Sequence, residues 1–194
     1  MNKIYVLCDF ATLQNKNISL EQFLKYCDKL DIVYIQYRDK TSSLDIQKQN
    51  LLFLKSNTNI PIIINDKIEL LPFCDGLHLG QEDLDTLRVK NEEVRIDKKL
   101  FFKMLRKQYP NKIIGLSTHN EIEILEANNF PLDYIGLGAY RATTTKDVSN
   151  ILGDYISYLA KISKHPVGAI GGVKKTDNIP NISFNVISSD LYEN

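Results

Sequence analysis

No stretch of this 194-residue sequence approaches the ~20 consecutive apolar residues of a membrane-spanning helix. The apolar opening Ile4-Tyr5-Val6-Leu7 is broken by Asp9 and is too short for a secretory leader. Cysteine is scarce. Cys8, Cys27 and Cys74 are odd in number and lack metal-ligand spacing, so buried free thiols are expected rather than a disulfide framework. That usage fits a reducing cytosol, and a cytoplasmic protein is expected. Charge of one sign is also missing, with 24 Lys and Arg against 24 Asp and Glu. A neutral chain does not hold nucleic acid or an anionic membrane through its overall field, and neither is expected as a partner. The sequence has no long linker, no low-complexity tract, no repeat and no Walker-type glycine framework.

What is present is the profile of an ordinary soluble globule, 43% hydrophobic and 25% charged. Short apolar runs alternate with helix-period segments over residues 1–194, which read as one domain. Strand candidates are Ile4–Leu7, Ile32–Tyr37, Ile60–Ile64, Gly76–Leu79, Ile113–Leu116, Tyr134–Leu137, Val167–Ile170 and Phe184–Ile187. Ser19 with Gln22, and Asn120 with Glu123, form capping-box patterns at two of the intervening helices. Strands separated by helices point to a parallel sheet, and this many units favour a closed (β/α)8 TIM barrel over an open doubly wound sheet. Such barrels usually run to ~250 residues, so this one is trimmed. The polar, Pro-broken segment Val173–Ser183 replaces a full seventh helix. Only Ser189–Asn194 follow the last strand, so the barrel is expected to end short at its C-terminal end. A second copy covering that flank, as a homodimer, is an expectation that follows. Asp85–Lys99 reads as a charged surface excursion.

Polar residues gather where strands end, the place where barrels carry chemistry. Gln36, Arg38 and Lys40 alternate at the end of the second strand and share a face, which sets two positive charges side by side. An anion such as a diphosphate would neutralise both. Asn65-Asp66 ends the third strand and Asp83 follows the fourth. Two carboxylates plus substrate phosphate oxygens suit Mg2+, which keeps several waters. Ser117-Thr118-His119 ends the fifth strand, with Ser117 a candidate phosphate donor and His119 a candidate acid or base. Thr143, Thr145 and Lys146 lie in the loop after the sixth strand. Gly171-Gly172 ends the seventh and Ile187-Ser188 the eighth, the usual barrel phosphate site.

In order along nearly the whole chain, these pieces resemble the thiamine phosphate synthase family. They include Gln36-x-Arg38-x-Lys40, Ile64-Asn65-Asp66, Asp75 to Asp83, Gly115 to Asn120, Asp133 to Gly138, Thr143-x-Thr145-Lys146, Ala169 to Gly172 and Val186-Ile187-Ser188. The resemblance implies a barrel enzyme that couples hydroxymethylpyrimidine diphosphate to thiazole phosphate, forming thiamine phosphate and releasing pyrophosphate. It implies that Gln36, Arg38, Lys40, Asn65, Ser117 and Lys146 hold the diphosphate, with Arg38, Lys40, Ser117 and Lys146 acting on it in catalysis. By the same resemblance Asp66 and Asp83 hold Mg2+. Thr143, Thr145, one of Gly171 and Gly172, and Ile187 with Ser188 take the second phosphate.

The chain departs from the family pattern in two places. Ala139-Tyr140-Arg141-Ala142 stands where the family carries Pro-Ile-Tyr-Pro, and Phe184-Asn185 stands in place of an Ala-Asp-Gly segment before the last strand. Two other readings of the residues are a thiazole tautomerase-like isomerase using His119 and a non-catalytic barrel that binds phosphorylated ligands. Lys146, Thr143, Thr145 and the Gln36-Arg38-Lys40 set favour the synthase, because they supply a diphosphate site that a tautomerase does not need.

Overall fold

A computed structural model describes residues 3–90, 94–142 and 151–193. Strand β1 (Lys3–Asp9) leads directly into the short helix α1 (Phe10–Asn15), capped by the Asp9 side chain. Helix α2 (Leu20–Cys27) starts at Ser19, whose hydroxyl accepts from Gln22 N while the Gln22 side chain accepts from Ser19 N. The expected capping box is therefore present, a device worth about 1 kcal/mol. Strand β2 (Ile32–Arg38), helix α3 (Leu44–Asn57) and strand β3 (Ile62–Asn65) follow. A 3-10 helix (Ile68–Phe73) then reaches β4 (Gly76–Leu79).

The charged stretch after β4 is more ordered than its composition suggested. It holds helix α4 (Gln81–Leu87) and a small antiparallel ribbon of β5 (Val89–Lys90) and β6 (Val94–Arg95). The chain continues through α5 (Lys98–Gln108), β7 (Ile113–Thr118), α6 (Glu121–Ala127) and β8 (Tyr134–Leu137). Asn120 caps α6 by accepting from Glu123 N, as expected. Helix α7 (Tyr155–Ile162), β9 (Val167–Ala169) and β10 (Phe184–Ile187) complete the alternation, and a 3-10 helix (Ser189–Tyr192) ends it.

Eight strands pair in parallel in the closed order β1-β10-β9-β8-β7-β4-β3-β2. The open-sheet alternative is thereby excluded. Outward-facing strand residues such as Val6, Ile35, Ile64, Leu77 and Leu116 pack with helix residues such as Phe23, Leu51 and Phe102 into the main core. A second cluster of Tyr5, Tyr134, Phe184 and Val186 fills the barrel interior. No helix lies between β9 and β10 among the described residues, and a 3-10 turn stands where an eighth helix would. The flank is nonetheless covered by the chain itself, because Val173, Ile179, Ile182 and Leu191 are all buried in the main core. Among the described residues no helix is long and apolar enough to cross a membrane.

Candidate active site at the barrel mouth

Alternation along the strands aims one set of side chains into the barrel, and toward the C-terminal ends these become polar. Gln36 is buried, with Nε2 donating to Asn65 Oδ1 at 2.6 Å and Oε1 accepting from Tyr5 Oη at 2.6 Å. Tyr5 and Tyr134 share a hydroxyl contact of 2.8 Å. Tyr134 also meets His78 Nδ1 at 2.9 Å, and His78 Nε2 meets Ser117 Oγ at 2.9 Å. Desolvation of the fully enclosed His78 ring pulls its pKa down to about 4, so it is neutral at physiological pH. Inner-face glycines make room for this row. A Cβ on Gly115 would stand 2.2 Å from Tyr134 Cζ, and one on Gly136 would stand 3.2 Å from His78 Cε1.

At the ends of β2, β3 and β4 the row opens into a polar cavity of about 120 Å³, lined by Asp39, Lys40, Asn65, Asp66, Lys67 and Asp83. Asp66 takes a left-handed backbone conformation, φ 61°, directly after β3. Strain of that kind persists where surrounding contacts fix it. Here Gly80 N donates to Asp66 Oδ1 at 2.9 Å, and Asn65 Nδ2 donates to Oδ2. Asp66 and Asp83 both reach the space beside Gly80, 3.7 Å and 3.3 Å from where its Cβ would be. Burial, and then the neighbouring Asp66 carboxylate, raise the Asp83 carboxyl above its ordinary range, while Lys40 and Lys67 oppose the rise. Two crowded carboxylates gain most from a shared cation, so this donor set fits a Mg2+ that completes its shell with water and substrate oxygens. Among the described residues no group of three or more His, Cys, Asp or Glu forms an all-protein cage.

Arg38 differs from expectation. Its charge does not stand beside Lys40 unopposed, because Nη1 donates to Asp9 Oδ2 at 2.5 Å. The pairing follows from register, since Asp9 on β1 lies opposite Arg38 on β2. Asp9, read in the sequence only as the end of an apolar run, thus orients a candidate anion ligand. Sequence reading also passed over Tyr5, His78 and Tyr134 as site residues. One signal was available, because a tyrosine hydroxyl inside an apolar strand requires a buried partner.

On the far side of the mouth, β9 and β10 are neighbours, with Ala169 opposite Asn185, so their following loops leave together. Gly171 and Gly172 adopt φ of 84° and 65°, the left-handed region open to glycine at little cost. Ser188 Oγ is buried and has no hydrogen-bond partner among the described residues, while Ile187 packs in the core. An orphaned hydroxyl at the end of the strand neighbouring the one that leads into the glycine pair is compatible with an incoming phosphate oxygen. Arg141, in the slot where the family carries tyrosine between its two prolines, crosses to this loop. It donates to both Asp177 carboxylate oxygens at 2.6 and 3.0 Å and to Gly172 O at 3.1 Å. Thr143, Thr145 and Lys146 lie outside the described residues. His119 points elsewhere. Its Nδ1 is 2.9 Å from Glu123 Oε2, and it lines a separate recess of about 470 Å³ between α6 and α7.

A closed parallel barrel with carboxylates, lysines and an amide at one mouth defines a (β/α)8 protein of the kind that handles phosphorylated small molecules at its strand ends. The chain belongs to the family described as Thiamine monophosphate synthase, whose pattern it matches over residues 4–186. It is 33% identical over 181 residues to a thiamine-phosphate synthase of Persephonella marina, covering 89% of this chain and 77% of that one. With a thiamine-phosphate synthase of Vibrio campbellii it shares 30% over 188 residues, covering 93% and 83%. Among solved structures, a thiamine phosphate pyrophosphorylase from Pyrococcus furiosus superposes with a TM-score of 0.70 at 21% identity, over 96% of this chain and 85% of that one. A geranylgeranylglyceryl phosphate synthase from Thermoplasma acidophilum superposes at 0.61 with 12% identity, over 100% of this chain and 87% of that one, a likeness of fold.

Proposed function

We propose that this chain is a thiamine-phosphate synthase, a transferase that joins hydroxymethylpyrimidine diphosphate to thiazole phosphate and releases pyrophosphate. The observation that carries the reading is the cavity holding Asp66, Asp83, Lys40 and Asn65, formed at the strand ends where the family pattern runs through the chain. In the reaction the bond between the pyrimidine methylene carbon and the diphosphate oxygen breaks, with its electron pair leaving on pyrophosphate. The thiazole nitrogen then forms the new carbon–nitrogen bond with its lone pair. Such chemistry calls for little proton transfer and much stabilisation of leaving-group charge.

Asp66 and Asp83 would hold Mg2+, and when bound the ion would offset charge on the diphosphate. Arg38, already oriented by Asp9, and Lys40 supply positive charge beside it. Gln36, Asn65 and Ser117 contribute polar contacts, and Lys146 belongs to the same set by its place in the family pattern. Thr143, Thr145, Gly171, Gly172, Ile187 and Ser188 would receive the second phosphate. Cytoplasmic, small-molecule work without nucleic acid or membrane is part of this reading. So is a homodimer, for which the exposed Ile122, Leu125, Tyr155 and Tyr158 on α6 and α7 offer apolar surface to bury.

The test is incubation with both substrates and Mg2+, following pyrophosphate. Turnover is expected, with a loss of at least tenfold in Asp66→Ala and in Lys146→Ala. No product under conditions where an authentic synthase turns over refutes the assignment. Undiminished turnover in both variants refutes these roles.

A further inference from the structure

The polar row inside the barrel has a direction, and the direction follows from counting hydrogens. Asn65 Nδ2 donates to Asp66 Oδ2, so the Asn65 group facing it is the NH2. The Asn65 carbonyl therefore faces Gln36 and accepts from Nε2. That turns Gln36 Oε1 toward Tyr5, whose hydroxyl donates to it. A phenol has one hydrogen. With the Tyr5 hydrogen given to Gln36, the contact between Tyr5 and Tyr134 is made by the Tyr134 hydrogen. Tyr134 oxygen then accepts from His78 Nδ1, and Nε2 of the neutral ring accepts from Ser117 Oγ. The links run one way over side chains far apart in sequence, Tyr5 and Tyr134 being 129 residues apart.

We propose that this chain of hydrogen bonds fixes His78 as its Nδ1–H tautomer and turns the Ser117 hydrogen inward, so that Ser117 meets a ligand at the mouth with lone pairs. Tyr5, Tyr134 and His78 are then positioning residues acting through Ser117. A ligand N–H or O–H is received at Ser117 directly. A bare phosphate oxygen is received there only at a cost: Ser117 turns its hydrogen away from His78 Nε2, or that nitrogen takes up a proton, or the links reverse as far as Tyr5, which would leave Tyr5 oxygen and Gln36 Oε1 facing each other with no hydrogen between them. The proposed preference for a donor at Ser117 differs from the expectation that this serine donates to phosphate. Its consequence for catalysis rests on the synthase reading, whereas the hydrogen-bond order itself does not.

The experiment is long-range 1H–15N correlation of the histidine rings in the ligand-free protein at neutral pH, with His78 assigned by its loss in His78→Gln. The expected spectrum has His78 Nδ1 in the protonated range and Nε2 at the downfield position of a bare nitrogen. In Tyr5→Phe the Tyr134 hydroxyl loses its acceptor and turns to His78 Nδ1, so the downfield signal moves to Nδ1 and the proton to Nε2. Gln36→Met frees the Tyr5 hydrogen to point at Tyr134 and should give the same inversion, and it serves if Tyr5→Phe does not fold. An Nε2–H tautomer or a doubly protonated ring in the parent protein overturns the proposal, as does an unchanged tautomer in the folded variant. No substrate is present, so these outcomes are separate from success or failure of the pyrophosphate assay.

Discussion

At the scale of single residues, the mouth depends on what is small as much as on what is charged. Gly115 sits on the inner face of β7 against the Tyr134 ring, which is held by hydroxyl contacts on two sides. Replacing glycine with alanine in a strand ordinarily stabilises a fold slightly by restricting the unfolded chain. Here the added methyl meets ring carbon at 2.2 Å, and the ring cannot retreat without losing those contacts. Gly115→Ala is therefore expected to lower the unfolding free energy by about 1–3 kcal/mol, the usual range for overpacking. Gly136→Ala, whose nearest neighbour is His78 Cε1 at 3.2 Å, should cost less. Urea denaturation checks both, and an unchanged midpoint for Gly115→Ala would show that the interior is looser than its contacts imply. Asp66, Asp83, Lys40 and Asn65 could be named from the sequence because they fall together at successive strand ends, although an aspartate or asparagine there can also serve as a helix cap, as Asp9 and Asn120 do. Tyr5, His78 and Tyr134 could not be, because each lies in an apolar run. Their role arises only when strand register sets them side by side across the barrel.

At the scale of elements, the loop after β8 is tied to the loop after β9. Arg141 N donates to Gly171 O at 2.8 Å, its guanidinium lies 4.3 Å from the Tyr140 ring centroid, and it grips Asp177 with two bonds. That grip, together with Lys174 N, holds the Asp177 carboxyl below its ordinary range against a smaller opposing effect of burial. A carboxyl depressed in the folded state contributes stability that is present above its unfolded pKa, near ~3.9, and lost as pH falls through the lower folded value. Arg141→Ala should return Asp177 to the ordinary carboxylate range in a 13C-detected pH titration. It should also speed amide exchange at Gly171 and Gly172. Because the arginine is largely exposed, the global stability change should stay within about 1 kcal/mol. An Asp177 titration unmoved by the substitution would show that Lys174 N alone holds it. The loss of the family's two prolines and the new arginine were visible in the sequence. The arginine's partner was not, because the polar segment that supplies Asp177 carries no helical or strand period to place it. Capped helices α2 and α6 were legible for the opposite reason, since their Ser–Gln and Asn–Glu spacings are local. The ribbon of β5 and β6, short and charged, gave no such period.

At the scale of the whole molecule, closure is the decisive fact, and it is made between the first and last strands. Lys3 to Val6 pair with Phe184 to Ile187, so neither β1 nor β10 is left as an open edge. The segment that follows β10 packs over this seam. Leu191 is 5% exposed in the main core, Tyr192 meets Tyr26 of α2 edge-on at 5.3 Å, and Lys175 N donates to Asp190 at 2.6 Å. A short 3-10 helix thus does the covering that a full eighth helix does in longer barrels. Leu191→Ala is expected to cost about 2–5 kcal/mol, the range for truncating a buried leucine. That is a large share of the roughly 5–15 kcal/mol that holds a typical domain together. Because every barrel strand pairs with two neighbours, loss of the seam should lower one cooperative transition and leave no separate early step. The chain has no tryptophan, so far-ultraviolet circular dichroism and tyrosine fluorescence are the two probes. Coincident curves shifted together to lower denaturant are the expected result. Curves that separate would mean that the terminal segment unfolds apart from a barrel able to stay closed without it.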